Sequence, residues 1–315
     1  MMHYSLLWVT DPWTTLTHNQ DTTLRLAQEG HKLGITSYWT ATDFMFDAPI
    51  DQLKVIPITT DFAATSVLIQ ASSFHQIHYR VDPPVDFNYI SGIEKIIKHG
   101  ADSSQILNPV ELISKQSEKI PPKELTHLAP RMRVVKDEAQ AHEAFVLFQN
   151  DARVVTKPLH LAQSIGVKQW TMPKTESEFL AIIRAETHES TEAILVEEFL
   201  SQIHLGEVRM WFAFGKFIAA LKKYPKAGDF RVLIDEGSKV EAYTLSPHEE
   251  KIALEVGASL KKNGVALAAI DFIGGKICDY NLTSPGLLVQ LEQVHGKNFA
   301  EMIIKELVNP DHETT

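Results

Sequence analysis

The sequence predicts a mixed chain: an N-terminal α/β domain with parallel strands, then α+β lobes that carry hairpins. Three observations support this. The chain opens on a strand, a helix and a second strand, an order that packs most simply as a parallel α/β unit. After Ile120-Pro121-Pro122-Lys123 the pattern changes, and capped helices alternate with short strands. Toward the C-terminus, apolar runs broken by Gly215-Lys216 and by Gly274-Gly275 read as hairpins.

Taken in order, Tyr4-Ser5-Leu6-Leu7-Trp8-Val9 is a buried strand ended by Asp11-Pro12. Asp21 is placed to cap a helix that carries Leu24, Leu26 and Ala27 and stops near Gly34. Ile35 to Trp39 is a second strand, and Gln76 to Tyr79 another; the stretch between them has no clear period. Arg80-Val81-Asp82-Pro83-Pro84-Val85-Asp86 follows. Its double proline forces an extended turn, a rigid support for Arg80, Asp82 and Asp86. Asp137 caps a helix with Ala141, Ala144, Phe145 and Phe148 on one side, ending at Asn150. Arg153 to Thr156 is a short strand that ends at Lys157-Pro158. Thr175 and Glu178 form a capping box for a helix through Ile183. Ala193 to Phe199 is a strand, and Val208 to Phe214 pairs with Phe217 to Leu221. Ser246-Pro247-His248-Glu249 combines a cap, a proline at the first helical position and a capping box. That helix carries Ile252, Ala253, Val256 and Leu260 and stops at Asn263-Gly264. A last helix runs from about Asn298 to Leu307, and the tail from Asp311 to Thr315 is expected to fray.

At 315 residues the chain can build two or three domains with their own cores. Its net charge of -10 and pI near 5.8 argue against a general binder of nucleic acid or membrane surfaces. An anionic substrate would need a local cluster of Lys and Arg instead. No apolar run approaches the ~20 residues of a membrane span. The start, Met1-Met2-His3-Tyr4-Ser5, lacks the regions of a signal peptide, so the cytoplasm is the expected compartment. The single cysteine, Cys278, has no internal disulfide partner.

The densest chemistry lies between Ala268 and Pro285. Asp271 sits on one strand of an apolar hairpin, and Asp279 and Asn281 share a face of the other. Oxygen-only ligands suit Mg²⁺, which also takes waters and phosphate oxygens. A two-residue Gly274-Gly275 turn would pair Asp271 with Cys278; a three-residue loop through Lys276 would pair it with Asp279. The metal reading therefore predicts the longer loop. The bland alternative is a buried hairpin with polar residues at its solvent end.

Other candidates stand beside equally plain readings. Lys157 at a strand end can reach phosphates, or be a surface lysine. Glu197-Glu198-Phe199-Leu200 can offer backbone groups and apolar walls to an adenine, or be a charged strand end over a core. Arg209, Lys223 and Arg231 can hold phosphate or carboxylate groups, or be solvated charges; Glu207 can contact ribose or metal, or neither. His75 and His78, three apart on a strand, face opposite sides and make a poor chelate. Cys278 reads as core.

Together and in order, these segments resemble the prokaryotic-type glutathione synthetases of the ATP-grasp superfamily. The resemblance runs through Asp11-Pro12, Asp21-Thr22-Thr23, Arg80 to Asp86, Lys157-Pro158-Leu159, Glu197 to Leu200, Arg209, Gly228-Asp229-Phe230-Arg231, Leu267 to Gly274 and Asn281-Leu282-Thr283-Ser284-Pro285. The Asp-Pro-Pro and Asn-x-Thr-Ser-Pro elements are the most specific. The resemblance implies an ATP-grasp fold with an N-terminal Rossmann-like α/β domain. It divides the chain into a substrate-side domain (1–122), a small lobe (123–200) and a C-terminal lobe with the metal site (201–315).

It also implies a ligase. Mg²⁺-ATP (or Mn²⁺-ATP) phosphorylates a carboxylate, and an amine displaces the phosphate; in the family the acid is γ-glutamylcysteine and the amine glycine. Asp271, Asp279 and Asn281 would hold metal. Lys157, Ser164, Gly166, Glu197 to Leu200, Glu207 and Arg209 would surround the nucleotide. Arg231 would hold the transferred phosphoryl group, and Arg80, Asp82 and Lys223 would lie on the substrate side. A homo-oligomer, often a tetramer, is implied as well. Three departures stand out: the glycine-rich phosphate loop is His160-Leu161-Ala162-Gln163-Ser164-Ile165-Gly166-Val167, the metal-site Glu is Asp279, and an Asn after the active-site Arg is Leu233. A ligase for another acid and amine, or a nucleotide-binding protein without turnover, are the alternatives. Asp271→Ala is expected to abolish turnover and leave the fold intact.

Overall fold

The chain begins with the expected parallel unit. In a computed structural model, which describes residues 4–59, 62 and 64–309, β1 (Ser5–Thr10) and β2 (Thr36–Ala41) pair in parallel and α1 (Thr22–Lys32) joins them. Asp21 accepts a hydrogen bond from the Leu24 N–H, a cap that contributes about 1 kcal/mol. β3 (Gln52–Pro57) and β4 (Val67–Gln70) fill the aperiodic stretch as an antiparallel extension beside β2. β5 (Gln76–Tyr79) lies parallel to β1 on its other side, and β6 (Ile106–Leu107) is the far edge. The parallel reading thus holds at the centre of the sheet and not at the β3–β4 edge. Asp86, at the end of the double-proline turn, caps α2 (Phe87–Lys98). The sequence reading missed that helix because Asn88, Ser91 and Gly92 dilute its propensity. α3 (Val110–Lys115) then leads out of the unit.

The second sheet is antiparallel throughout. It contains β7 (Met132–Val135), β8 (Arg153–Pro158), β9 (Lys168–Thr171) and β10 (Ile194–Glu198) in the order β7-β10-β8-β9. α4 (Glu138–Phe148) and α5 (Glu176–Glu186) pack Phe148, Phe179 and Ile183 against Val154 and Val196. Both helices open on capping boxes, at Asp137/Gln140 and Thr175/Glu178. β7 and β9 are edge strands of four residues each, too short to show a period.

The third sheet is β13-β12-β11-β14-β15, with β11 (Glu207–Ala213), β12 (Lys216–Tyr224), β13 (Lys239–Tyr243), β14 (Leu267–Ile273) and β15 (Lys276–Asn281). Both faces are covered, which is why β11 and β14 read as almost unbroken apolar runs. Val208, Met210 and Phe212 meet α6 (Pro247–Lys262). Trp211 and Ala213 face the other way, toward α7 (Leu288–His295) and α8 (Phe299–Leu307). There one apolar cluster joins Trp8 and Leu24 of the first unit to Trp211, Leu288 and Ile303, so the first and third sheets share a core. Arg25 of α1 also donates to Glu292 of α7 at 2.7 Å. Among the described residues no helix is long and apolar enough to cross a membrane. The tail from Asp311 to Thr315 and the first three residues lie outside the described residues.

α6 crosses the β11–β12 turn with no space to spare. Gly215 in that turn has φ +77°, and a Cβ on Gly257 of α6 would collide with the Gly215 carbonyl oxygen. Gly257→Ala is therefore expected to cost about 1–3 kcal/mol by overpacking, lowering the urea midpoint at unchanged slope. An unchanged midpoint would show that the helix can slide away from the turn.

Candidate active site

The closing hairpin reaches its predicted pairing by another route. Asp271 stands opposite Asp279, but Ile273 pairs with Lys276, so the turn is the two residues Gly274-Gly275. Both glycines are left-handed, at φ 58° and 80°. This corrects the expected three-residue loop. A bulge supplies the missing step: Phe272 faces Ile277 while Asp271 faces Asp279, leaving Cys278 as the extra residue. The Cys278 thiol donates to the Asp271 carbonyl oxygen at 3.3 Å. A bulge shifts every side chain beyond it to the opposite face, and here it brings Asp279 and Asn281 onto the Asp271 face.

That face is polar at one end and apolar at the other, where the shared core covers it. Glu207, Arg209, Lys223 and Asp271 are all at the polar end. Asp271 is 1% exposed. Its carboxylate accepts from Arg209 Nε at 2.8 Å and Nη2 at 2.7 Å, from Lys223 Nζ at 3.1 Å and from Asn281 Nδ2 at 3.3 Å. Burial alone would raise its pKa; the two cations outweigh burial and hold it well below the usual range. Lys223 also pairs with Glu207. Burial opposes the charge of Lys223, and so does Arg209, yet Asp271 and Glu207 hold its pKa up. Removing Asp271 would strand the buried Arg209 and leave Lys223 with Glu207 alone, so Asp271→Ala is expected to destabilise the fold, where the sequence suggested an intact one.

A cleft between the second and third sheets is lined by Lys119, Lys157, Ser164, Glu197, Phe199, Leu200, Glu207, Arg231 and Asp279, among others. Lys157 Nζ lies 2.7 Å from Glu197 Oε1 and donates to the Cys278 carbonyl oxygen at 3.2 Å. Burial works against the ammonium, but Glu197 and Asp279 more than offset it and raise the Lys157 pKa. Burial pushes the Glu197 carboxyl up against the pull of Lys157. Its Oε2 is buried with no partner among the described residues. We read the pair as ionised, because a 2.7 Å contact is that of a charge-assisted bond. The remaining free space is about 60 Å³, far below the ~300 Å³ at which ligand pockets begin. A cavity of about 990 Å³ opens beside it across Phe199, Ile203 and Phe230, so it is the phosphate end of a nucleotide that needs these side chains to turn out.

Lys119 was not anticipated. It is 6% exposed, and its Nζ donates to Asp279 Oδ1 at 2.8 Å. Its neighbour Glu118 accepts from Thr283 N at 2.7 Å and Thr283 Oγ1 at 3.0 Å, holding the Asn281–Pro285 segment. Neither residue stands in a periodic element, so only their distant partners reveal them.

The other predicted residues divide among several settings. Phe199 packs under the Arg153 guanidinium, 4.0 Å from the ring centre, and meets Phe230 edge-on at 6.0 Å. The Glu198 side chain turns away from the cleft, accepting from Arg131 N at 2.9 Å and Nε at 3.0 Å; only its backbone could serve an adenine. Gln163, Ser164 and Gly166 have φ of 55°, 58° and 73°. The segment thus adopts the left-handed backbone of a glycine-rich loop while using glycine only at 166. Arg80 is buried beside the Asn281–Pro285 segment. It donates to Thr23 Oγ1 at 2.9 Å and the Pro285 carbonyl oxygen at 2.7 Å, and burial brings its pKa down to about 10. The Asp82 N–H donates to Asp11 Oδ2 at 2.8 Å, and burial, then Asp11, push its own carboxyl up.

The donor set suits a hard divalent cation in type, since it is carboxylate and amide oxygen. Among the described residues no three Asp, Glu, His or Cys side chains are grouped to hold a metal unaided. Mg²⁺ takes one or two carboxylates, with substrate phosphates and waters completing the shell. Asp279, partly exposed on the cleft wall, and Asn281 fit that role; both oxygens of Asp271 are already engaged.

Comparison with known proteins follows the same outline. Residues 4–111 match the prokaryotic glutathione synthetase N-terminal domain, and residues 118–296 the prokaryotic glutathione synthetase ATP-grasp domain. Glutathione synthetase of Brucella melitensis is 24% identical over 93% of this chain and 94% of its own. That of Parasynechococcus marenigrum is 26% identical over 96% and 98%. In fold, the chain is similar to D-cycloserine synthetase (TM-score 0.70, 14% identity, 96% and 98% covered). It is also similar to D-alanyl-alanine synthetase A of Vibrio cholerae (TM-score 0.60, 14% identity, 98% of each). With both domains matched in order along nearly its whole length, the chain belongs to the prokaryotic glutathione synthetase family of ATP-dependent ATP-grasp ligases.

Proposed function

We propose that this ligase joins γ-glutamylcysteine to glycine at the expense of ATP, giving glutathione, ADP and phosphate. The observation that carries the proposal is the meeting of two nearly buried lysines, Lys119 and Lys157, at the cleft wall that bears Asp279. An anionic chain of phosphates is the ligand that such a pair fits. Mg²⁺, or Mn²⁺, bound with Asp279 and Asn281 would neutralise charge on the phosphates. Asp271 fixes Arg209 and Lys223, and through Asn281 the metal end of the site. Glu197 to Leu200 would flank the adenine, with Phe199 as a wall, and Glu207 would reach the ribose. Ser164 and Gly166 would cover the phosphates.

In the first step a carboxylate oxygen of the peptide attacks the γ-phosphorus, and the bond to the ADP oxygen breaks. Arg231 would hold the oxygens of the transferred group as charge moves onto them. In the second the glycine amine attacks the acyl carbon. Phosphate leaves with the electron pair, and the amine loses its proton. Arg80, Asp82 and Lys223 would position the acid. The closed cleft would keep water from the acyl phosphate. We assign residues 1–122 to the substrate-side domain, 123–200 to the small lobe and 201–315 to the lobe with the metal site.

The test is ADP release by the protein with Mg²⁺-ATP, γ-glutamylcysteine and glycine, omitting each in turn, with the product weighed by mass spectrometry. Release that requires both substrates, together with glutathione, is the expected result. ADP formed only with other acids or amines would overturn the substrate assignment. Nucleotide binding with no ADP from any pair would overturn turnover itself.

A further inference from the structure

Arg231 sits in the loop between β12 and β13, at the cleft, and its guanidinium is held from within that loop. Asp229 Oδ2 accepts from Arg231 Nη2 at 2.9 Å, and Oδ1 from Nε at 3.2 Å. The same Oδ1 accepts the backbone N–H of Phe230 at 2.7 Å and of Arg231 at 2.8 Å. One carboxylate thus fixes both the turn and one edge of the arginine fork. The opposite edge, at Nη1, makes no hydrogen bond among the described residues. The loop is also seated on the hinge segment, through Phe230 against Phe199. The two clasps together aim a single cation into a cleft already lined by Lys157 and Asp279.

We propose that Asp229 is the positioning residue for Arg231, presenting the free edge of its guanidinium to the phosphoryl group in flight. The inference rests on the role given to Arg231 above. An arginine on a mobile side chain must be ordered before it can stabilise developing charge, and a misplacement of ~1 Å costs on the order of a hundredfold in rate. Asp229 supplies that order without touching the substrate.

Asp229→Asn separates the two functions of the carboxylate. An amide oxygen in the place of Oδ1 keeps the turn and the 3.2 Å bond from Arg231 Nε, while an NH₂ in the place of Oδ2 meets Nη2 donor to donor and breaks the shorter half of the clasp. We expect D229N to lower kcat by about tenfold to a hundredfold, with KM for ATP within about twofold. In an R231A background the same change should have no further effect, as a double-mutant cycle requires of a residue acting through its partner. A second readout needs no turnover. In protein labelled with ¹⁵N-arginine, the Arg231 Nη2–H resonance, identified by its loss in R231K, should be protected from solvent exchange and lose that protection in D229N. An equal cost of D229N with and without Arg231, a gain in kcat, or an Arg231 resonance unchanged by D229N would each overturn the proposal. Full turnover in R231A alone would instead remove Arg231 from the phosphoryl site, a failure of the functional reading that takes the positioning role with it.

Discussion

Asp271→Asn is expected to stop turnover in a protein that still folds, whereas Asp271→Ala is expected to lose turnover and much of its stability together. Asp271 receives four hydrogen bonds, three of them from cations, at a position 1% exposed. Alanine removes the counter-charge, leaving Arg209 buried without its carboxylate and Lys223 with Glu207 alone, at a cost of about 3–5 kcal/mol. Against a total stability of about 5–15 kcal/mol that is a large fraction. Asparagine keeps the volume and an acceptor oxygen, and so keeps part of the network. It removes the charge that orients Arg209 and Lys223 and, through Asn281, the metal end of the cleft. Urea unfolding beside ADP release separates the two variants. Equal stability of both variants would show that the buried cations find other partners, and wild-type turnover in either would remove Asp271 from the machinery.

The same carboxylate makes a prediction about acid. Against burial, the Arg209 and Lys223 cations hold its folded pKa below the ordinary aspartate value of 3.8, so it contributes stability that is fully present above that value. The contribution is lost as pH falls from there through the folded pKa. Asp271→Asn should therefore narrow the stability difference between pH 5 and pH 2 relative to the parent protein, by about 1.4 kcal/mol for each unit of depression.

Lys157→Met is expected to weaken binding of a non-hydrolysable ATP analogue by about tenfold to a hundredfold, the worth of one charge-assisted bond. It carries a second cost that the strand-end lysine of the sequence does not suggest. Glu197 already has one buried oxygen without a partner among the described residues, and loss of Lys157 would leave the other in the same state. The carboxyl would then rise in pKa and take up a proton, and the protein would lose stability. Lys157→Met with Glu197→Gln should recover stability without recovering affinity, because a neutral amide needs no counter-charge. Calorimetry with the analogue gives the affinity, and urea unfolding gives the stability. Wild-type affinity in Lys157→Met would take Lys157 out of the phosphate site. A double variant no more stable than the single would mean that the pair is not what holds Glu197.

Local chemistry carried much of the architecture. The caps at Asp21 and Asp137, the capping boxes at Thr175 and Ser246, and the hairpin at Gly215 formed as their residues indicated, because each depends on contacts within a few positions. The segments from Asp11-Pro12 to Asn281–Pro285, taken together and in order, pointed to the family, where any one alone would have been weak. The β3–β4 edge, the short strands β7 and β9 and the helix α2 were not legible. Their residues carry weak periods, and neighbouring sheets and helices stabilise them more than their own propensity does.

The geometry of the cleft belongs to the same second category. The residue types at 157, 197, 271, 279 and 281 were written in the sequence, but not which of them would meet. A bulge at Cys278, rather than the length of the turn, set Asp271 opposite Asp279. Lys119 gained its role from a carboxylate 160 positions away, and Asp271 its charge state from Arg209 and Lys223 on the neighbouring strands. Burial and ion pairing act over distance in space, not along the chain. The sequence by itself therefore determined which elements form and what chemistry they carry. Only the tertiary structure decided which charges are paired and which face the cleft.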